Sequence, residues 1–133
     1  MDDAGIVTLR CGDGIEHVLR RVVAEIAERD LEISTVIDHN GDAADAGLDM
    51  PDSKLVVFGH AHRRTPLMVA HPTIALDLPM KLLIWRREDG GVYISFNTAE
   101  FLGSRHSLDA AETDMLRIVA DIAEAAATSY PVR

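Results

Sequence analysis

Cysteine occurs once in this chain, at position 11, which rules out an intrachain disulfide and any thiolate cluster for a metal. Aromatic residues are nearly as scarce: one tryptophan, two tyrosines and three phenylalanines leave a core to be built from Val, Ile, Leu and Ala. Positive charge is also in short supply. Thirteen Lys and Arg against 22 Asp and Glu give a net charge of −9. That balance argues against nucleic acid, whose binding rests on cations releasing phosphate counterions, and against anionic membrane surfaces. No apolar run approaches the roughly 20 residues that span a bilayer. The opening Met1-Asp2-Asp3-Ala4 lacks the basic and apolar regions of a secretory signal. The reading is a cytosolic protein with no membrane and no nucleic-acid partner.

Catalytic signatures are absent as well. There is no GxxxxGK[ST], no GxGxxG after a strand, no GxSxG, no CxxC and no HExxH. P-loop, dinucleotide-binding, α/β-hydrolase, thioredoxin-like and zincin chemistries are thereby disfavoured, and no cofactor is expected.

What is present is a regular alternation of periods. Ile6 to Cys11 reads as a first strand. Ile15, Val18, Leu19, Val22, Val23 and Ile26 recur at helical spacing, with Asp13 and Glu16 placed as a capping box. Leu31 to Asp38 alternates as a half-buried strand, and Ala43 to Leu48 suits a short helical turn within a loop. The run Leu55-Val56-Val57-Phe58 is apolar on both faces, as in a strand covered twice or lying in a subunit interface. Thr65 and Pro66 resemble an N-cap and first helical residue, for a helix ending near His71. Asp89-Gly90-Gly91 joins two arms, 80–88 and 92–98, as a hairpin. A short helix over 99–104 precedes a long one that starts at Asp109 with Glu112 at its third position. Its stripe is Met115, Leu116, Val119, Ile122, Ala123 and Ala126, and it fades near Tyr130-Pro131. No repeat or linker divides the chain, so residues 1–133 form one domain with a core over about 5–128. Strands blocked together in the middle indicate an α+β fold.

Three groups of residues could carry chemistry. In Gly59-His60-Ala61-His62-Arg63-Arg64-Thr65-Pro66, two arginines stand before the expected helix start, where free N–H groups and the helix dipole attract anions. Glycine at 59 lets a ligand approach the backbone. His60 and His62 share one side of an extended chain and, with His39 or His71, are weak candidates for a metal site. Asp77, flanked by Leu76 and Leu78, is an acid in apolar surroundings and needs a donor, for which Lys81 or Arg64 is the expected partner. Cys11, near the first helix, reads as an inert thiol.

The segment from Phe58 to Trp85 resembles the middle of the domain-of-unknown-function 302 family. The residues that carry the resemblance are Phe58-Gly59, Thr65-Pro66-Leu67-Met68 and Ala75-Leu76-Asp77-Leu78-Pro79-Met80-Lys81, supported by the Asp89-Gly90-Gly91 hairpin and the Phe101-Leu102 helix. It implies a two-layer β-α-β(4)-α-like antiparallel sheet covered by helices, similar to the TATA-binding-protein-like class, and a homodimer. It implies no activity. Where the family usually reads Asn-Pro-Lys after Phe-Gly, this chain has His60-Ala61-His62.

The functional reading is a non-enzymatic homodimeric module that binds a small anionic ligand through Gly59, Arg63, Arg64, Thr65, Asp77 and Lys81. The alternatives are an enzyme using Asp77 with Arg64 or Lys81 on an anionic substrate, a histidine-based metal binder, and a partner-binding dimer without a small ligand. Binding is preferred to catalysis because no nucleophile stands beside a base.

Overall fold

Five strands form one antiparallel sheet in the spatial order β1-β5-β4-β3-β2. They are β1 (Ile6–Cys11), β2 (Glu32–Asp38), β3 (Ser53–Gly59), β4 (Met80–Arg86) and β5 (Val92–Asn97). The computed structural model describes residues 4–128. Helix α1 (Ile15–Glu28) joins the first two strands, and α2 (His39–Asp45) lies between β2 and β3. Helix α3 (Ala61–Ala70) and a 3-10 turn (Pro72–Leu76) lead into β4 through a cis Leu78–Pro79 bond. After the hairpin come α4 (Ala99–Arg105), α5 (Ala110–Met115) and α6 (Ile118–Ala127). The fold is the expected α+β arrangement of β-α-β(4)-α outline, with short helices inserted between strands.

Strand alternation decides which residues meet. Val56, Leu82, Ile84, Ile94 and Phe58 point to one face, which α1 and α6 cover with Val18, Val22, Ile26, Ile122 and Ala126. Burial of each of these Val, Leu, Ile and Phe side chains stabilises by about 1.5–3 kcal/mol. On the opposite face, cross-strand registers build the rows Ile37–Leu55–Leu83–Ser95–Thr8 and Ser53–Trp85–Tyr93–Arg10. Neither buried cluster includes these residues. A smaller second cluster, Leu67, Ile74, Ala99, Leu102 and Leu116, assembles α3, the 3-10 turn, α4 and α5 beside the main core.

Several local expectations need correction. Helix α1 is capped by the Gly14 backbone with no side-chain bond. Asp13 turns instead to Arg21, 2.6 Å away, whose Nε donates to the Ala126 carbonyl 2.7 Å away near the end of α6. A link between two helices thus replaces a cap. Strand β2 breaks its alternation between Ile33 and Thr35, so Thr35 pairs with Val57 on the opposite face. The loop after β2 is helical from His39, with Asp38 accepting from the Gly41 N–H. Residues Ala43 to Leu48 therefore hold only the end of that helix.

Helix α3 begins four residues earlier than Thr65. His60 is its N-cap, accepting from the His62 N–H through Nδ1 at 3.2 Å. Pro66 sits inside the helix, forfeiting one ladder bond, and Thr65 donates its hydroxyl to the Ala61 carbonyl at 2.8 Å. The expected long terminal helix is two. The Asp109–Glu112 capping box forms as read, but the ladder tightens to three-residue bonds at Leu116, Arg117 and Val119, which rotates the stripe. Met115 is consequently 49% exposed while Leu116 is buried in the second cluster. Tyr130 and Pro131 lie outside the described residues.

Candidate functional site

The end of β3, the first turn of α3, the approach to β4 and the α5–α6 junction surround a cleft of about 250 Å³. Its walls come from both clusters: Leu31, Met80 and Ile118 from the main core, Leu67, Leu78 and Leu116 from the second. The cleft is therefore the seam where the two clusters meet. Local sequence makes the seam. Gly59 ends β3 at a φ of +156°, and a β-carbon there would lie 3.4 Å from Arg64 Nη1 and 3.9 Å from the Met80 methyl. The Arg64 guanidinium thus lies within van der Waals reach of the strand end.

Arg64 is half-buried, and its side chain makes no hydrogen bond or ion pair among the described residues; its backbone N–H donates to the His60 carbonyl at 3.1 Å. Arg63 stands at the rim, with a half-exposed side chain and only a 4.0 Å approach to the exposed Asp30. His60 also lines the cleft. Since its Nδ1 accepts from the His62 N–H, the neutral ring carries its proton on Nε2, which is left to donate.

The residues expected to work with this group separate into two places. Gly59, Arg63 and Arg64 line the cleft, whereas Asp77 and Lys81 line another cavity of about 20 Å³. Thr65 is exposed one turn along α3 and bonded to its own helix. Asp77 does have the partner its surroundings demand, but that partner is His106. The imidazole Nε2 lies 2.5 Å from Asp77 Oδ2, and Nδ1 lies 2.8 Å from the Thr73 hydroxyl. An ionised carboxylate only accepts, so Nε2 donates to Asp77 and Nδ1 accepts from Thr73. Arg105 is a second cation, 3.5 Å from the same oxygen. Lys81 donates to the carbonyls of Pro79 at 2.9 Å and Asp77 at 3.3 Å. Burial holds its pKa below the ordinary amine value, partly offset by the Asp77 charge.

These contacts anchor the wall of the cleft. His106 grips the 3-10 turn at Thr73 and at Asp77, and His71, at the head of the turn, lies 2.9 and 3.0 Å from the two Glu112 oxygens. Two imidazole–carboxylate pairs thereby tie the segment leading to Leu78, Pro79 and Met80 onto α4 and α5.

Metal ligation finds no third donor. Among the described residues no three His, Cys, Asp or Glu side chains converge as a metal site. The His60 and His62 rings meet edge to face at 5.5 Å, and His71 is engaged by Glu112. Cys11 is buried and desolvation raises its thiol pKa, the opposite of an activated cysteine.

The family model described as "Domain of unknown function DUF302" matches residues 7–126. The chain belongs to the DUF302 family. A crystal structure of an uncharacterized conserved DUF302 protein from Bacillus stearothermophilus superposes with a TM-score of 0.80, covering 93% of this chain and 98% of that one at 13% identity. That likeness establishes the DUF302 fold and nothing about a ligand. Two curated relatives are "Fluoride-specific ion channel FluC 1" proteins of Brucella suis and Brucella abortus. Each is 35% identical over 106 residues, which is 80% of this chain but 42% and 39% of those proteins. The chain thus spans about two-fifths of these relatives, and none of its described helices is long and apolar enough to cross a membrane.

Proposed function

We propose that this DUF302 domain is a cytosolic, non-enzymatic binding module whose seam cleft takes a small anionic ligand with an apolar body. One observation carries the reading. Arg64 lies half-buried over Gly59, without a carboxylate partner among the described residues, at the edge of an apolar hollow. In a chain with 22 acidic residues to 13 basic ones, a half-buried guanidinium whose side chain has no carboxylate partner among the described residues is poised for a ligand's charge. The other large concavity, about 590 Å³ beside Trp85, is more open. There the Arg86 guanidinium is already bonded to Asp52, and Glu88 and Asp89 share the wall. It suits an anion poorly.

The enzyme reading loses its constellation, because Asp77 and Lys81 stand away from Arg64 and are occupied by His106 and backbone carbonyls. Asp77 acts as an anchor. A thermal-shift screen of anionic and neutral small molecules tests the binding reading. A saturable stabilisation by anions with an apolar portion, reduced in Arg64→Gln, is the expected outcome; no response from any anion refutes it.

Self-association belongs to the same proposal. The two sheet rows opposite the helices that combine Leu55, Leu83, Ile37 and Trp85 carry no carboxylate, Glu32 lying at the far end of that face against Gly59. In a chain of net charge −9, two copies meet with least repulsion on such a face. Solution mass should be twice 14.5 kDa at micromolar concentration and fall to the monomer in Leu83→Lys. A wild-type monomer refutes the dimer.

A further inference from the structure

We infer that the ligand of the seam cleft is a monoanionic carboxylate bearing an apolar chain or ring of roughly eight carbons, in preference to a phosphate. This rests on the binding reading above and goes on to its chemistry. The charges decide the head group. Arg64 is the half-buried guanidinium without a counter-ion, and Arg63 is half-exposed at the rim, where water and Asp30 screen it. Among the described lining residues, the His60 ring adds one N–H donor, Nε2, since its Nδ1 accepts from the His62 N–H. A guanidinium fork bonds both oxygens of a carboxylate, with His60 as a third donor. The single charge is then matched. A phosphate dianion brings a second charge and a third oxygen to the same donors, leaving charge unpaired against apolar walls, which is strongly unfavourable.

The walls decide the rest. Leu67, Leu78, Met80, Met115 and Ile118 line the hollow, and methionine side chains adapt to chains or rings alike. A volume of about 250 Å³ holds roughly eight waters at about 30 Å³ each, which corresponds to a tail of similar heavy-atom count. Met115 is exposed despite its place in an apolar stripe, because the α5–α6 break turns it toward this opening. An apolar ligand would cover it.

The test is calorimetric titration of the full chain, below micelle concentrations, with butanoate, hexanoate, octanoate and decanoate, then octanol, octylamine and octyl phosphate. Each methylene should tighten binding about fourfold until the cleft is full near eight carbons. Octanoate should bind at least tenfold more tightly than octanol and octyl phosphate. Arg64→Gln should erase the advantage over octanol while keeping the chain-length dependence. Arg64→Lys, which keeps charge but not the fork, should fall between. Tighter binding of octyl phosphate overturns the carboxylate assignment and leaves the anion-binding reading standing. Equal binding of octanol and octanoate overturns both, as does the lack of saturable binding by any of the seven compounds. If Arg64→Gln melts early, the wild-type ligand series still decides.

Discussion

Replacing Asp77 by alanine severs the contact that fastens the 3-10 turn to α4, and the cost follows from who loses what. The His106 side chain is 2% exposed and Asp77 15%, so water cannot replace the missing acceptor at Nε2. A buried donor left unsatisfied costs about 1–3 kcal/mol, and a hydrogen bond to a charged group contributes about 1.5–3 kcal/mol. The Arg105 contact adds little, since that side chain is half-exposed and 3.5 Å away. A loss of about 2 kcal/mol is expected. Unfolding entropy of about 2.1 cal/mol/K per residue gives a chain of this length a slope near 0.28 kcal/mol/K, so Tm should fall by roughly 7 °C. His106→Ala should cost more, because it also strands Asp77 and opens a cavity. The informative assay is a double-mutant cycle by urea denaturation. Asp77→Ala and His106→Ala should be non-additive by at least about 1 kcal/mol. Strict additivity, or an Asp77→Ala protein that melts within about 2 °C of wild type, would falsify the view that this pair anchors the cleft wall.

Other perturbations follow from single contacts. Gly103→Ala would place a β-carbon 2.4 Å from the Thr113 hydroxyl and 2.9 Å from its methyl, prising α4 from α5. A loss of about 1–3 kcal/mol in chemical denaturation is expected, and neutrality would show that Thr113 simply rotates away. Cys11, 5% exposed with its thiol pKa raised by burial, should resist a thiol-specific chromogenic reagent in the native protein and react fully in urea; rapid native labelling would contradict its placement. Lys81 is held below its ordinary pKa of 10.5, so the unfolded chain binds more protons just below that pH. Stability relative to Lys81→Met should therefore rise with pH through the window below 10.5, and parallel pH curves for the two proteins would count against a desolvated amine.

Elements were legible where their signals are local. The α1 stripe, the Asp89-Gly90-Gly91 hairpin and the Asp109–Glu112 capping box each depend on residues within a turn or two, and each forms. Asp13 had the right type for a cap, yet Arg21, eight residues on, competes for the same carboxylate and wins with a charged bond that also reaches α6. Thr65-Pro66 carried a helix-start signal, but the break in extended backbone comes earlier, at Gly59, and His60 supplies a cap there. His106 gives no signal in the sequence, because a single polar residue at a helix end has no periodicity. Its partners are 29 and 33 residues away in sequence, and only folding brings them together. The need for a partner at Asp77 was readable from Leu76 and Leu78; its identity was not.

Arg64 shows the same limit from the other direction. Its significance lies in a contact it does not make. A sequence presents Arg63 and Arg64 as equals beside many carboxylates, and with acids outnumbering bases each should find one. Rim geometry gives Arg63 at least Asp30 and open water. Arg64 instead lies over Gly59 toward Met80, where the neighbouring walls are Leu, Pro and Met. Pairing it with any of the chain's own carboxylates would require moving an acid into the seam between two hydrophobic clusters, at a desolvation cost the fold has no contact to offset. An external anion with an apolar body would incur the same desolvation of its charge but would offset it by the apolar surface it buries in the seam. On the proposed reading, the excess of acid in the chain would sharpen selectivity: the seam holds none of the described carboxylates against Arg64, so its guanidinium would be left for a ligand that carries its own apolar surroundings.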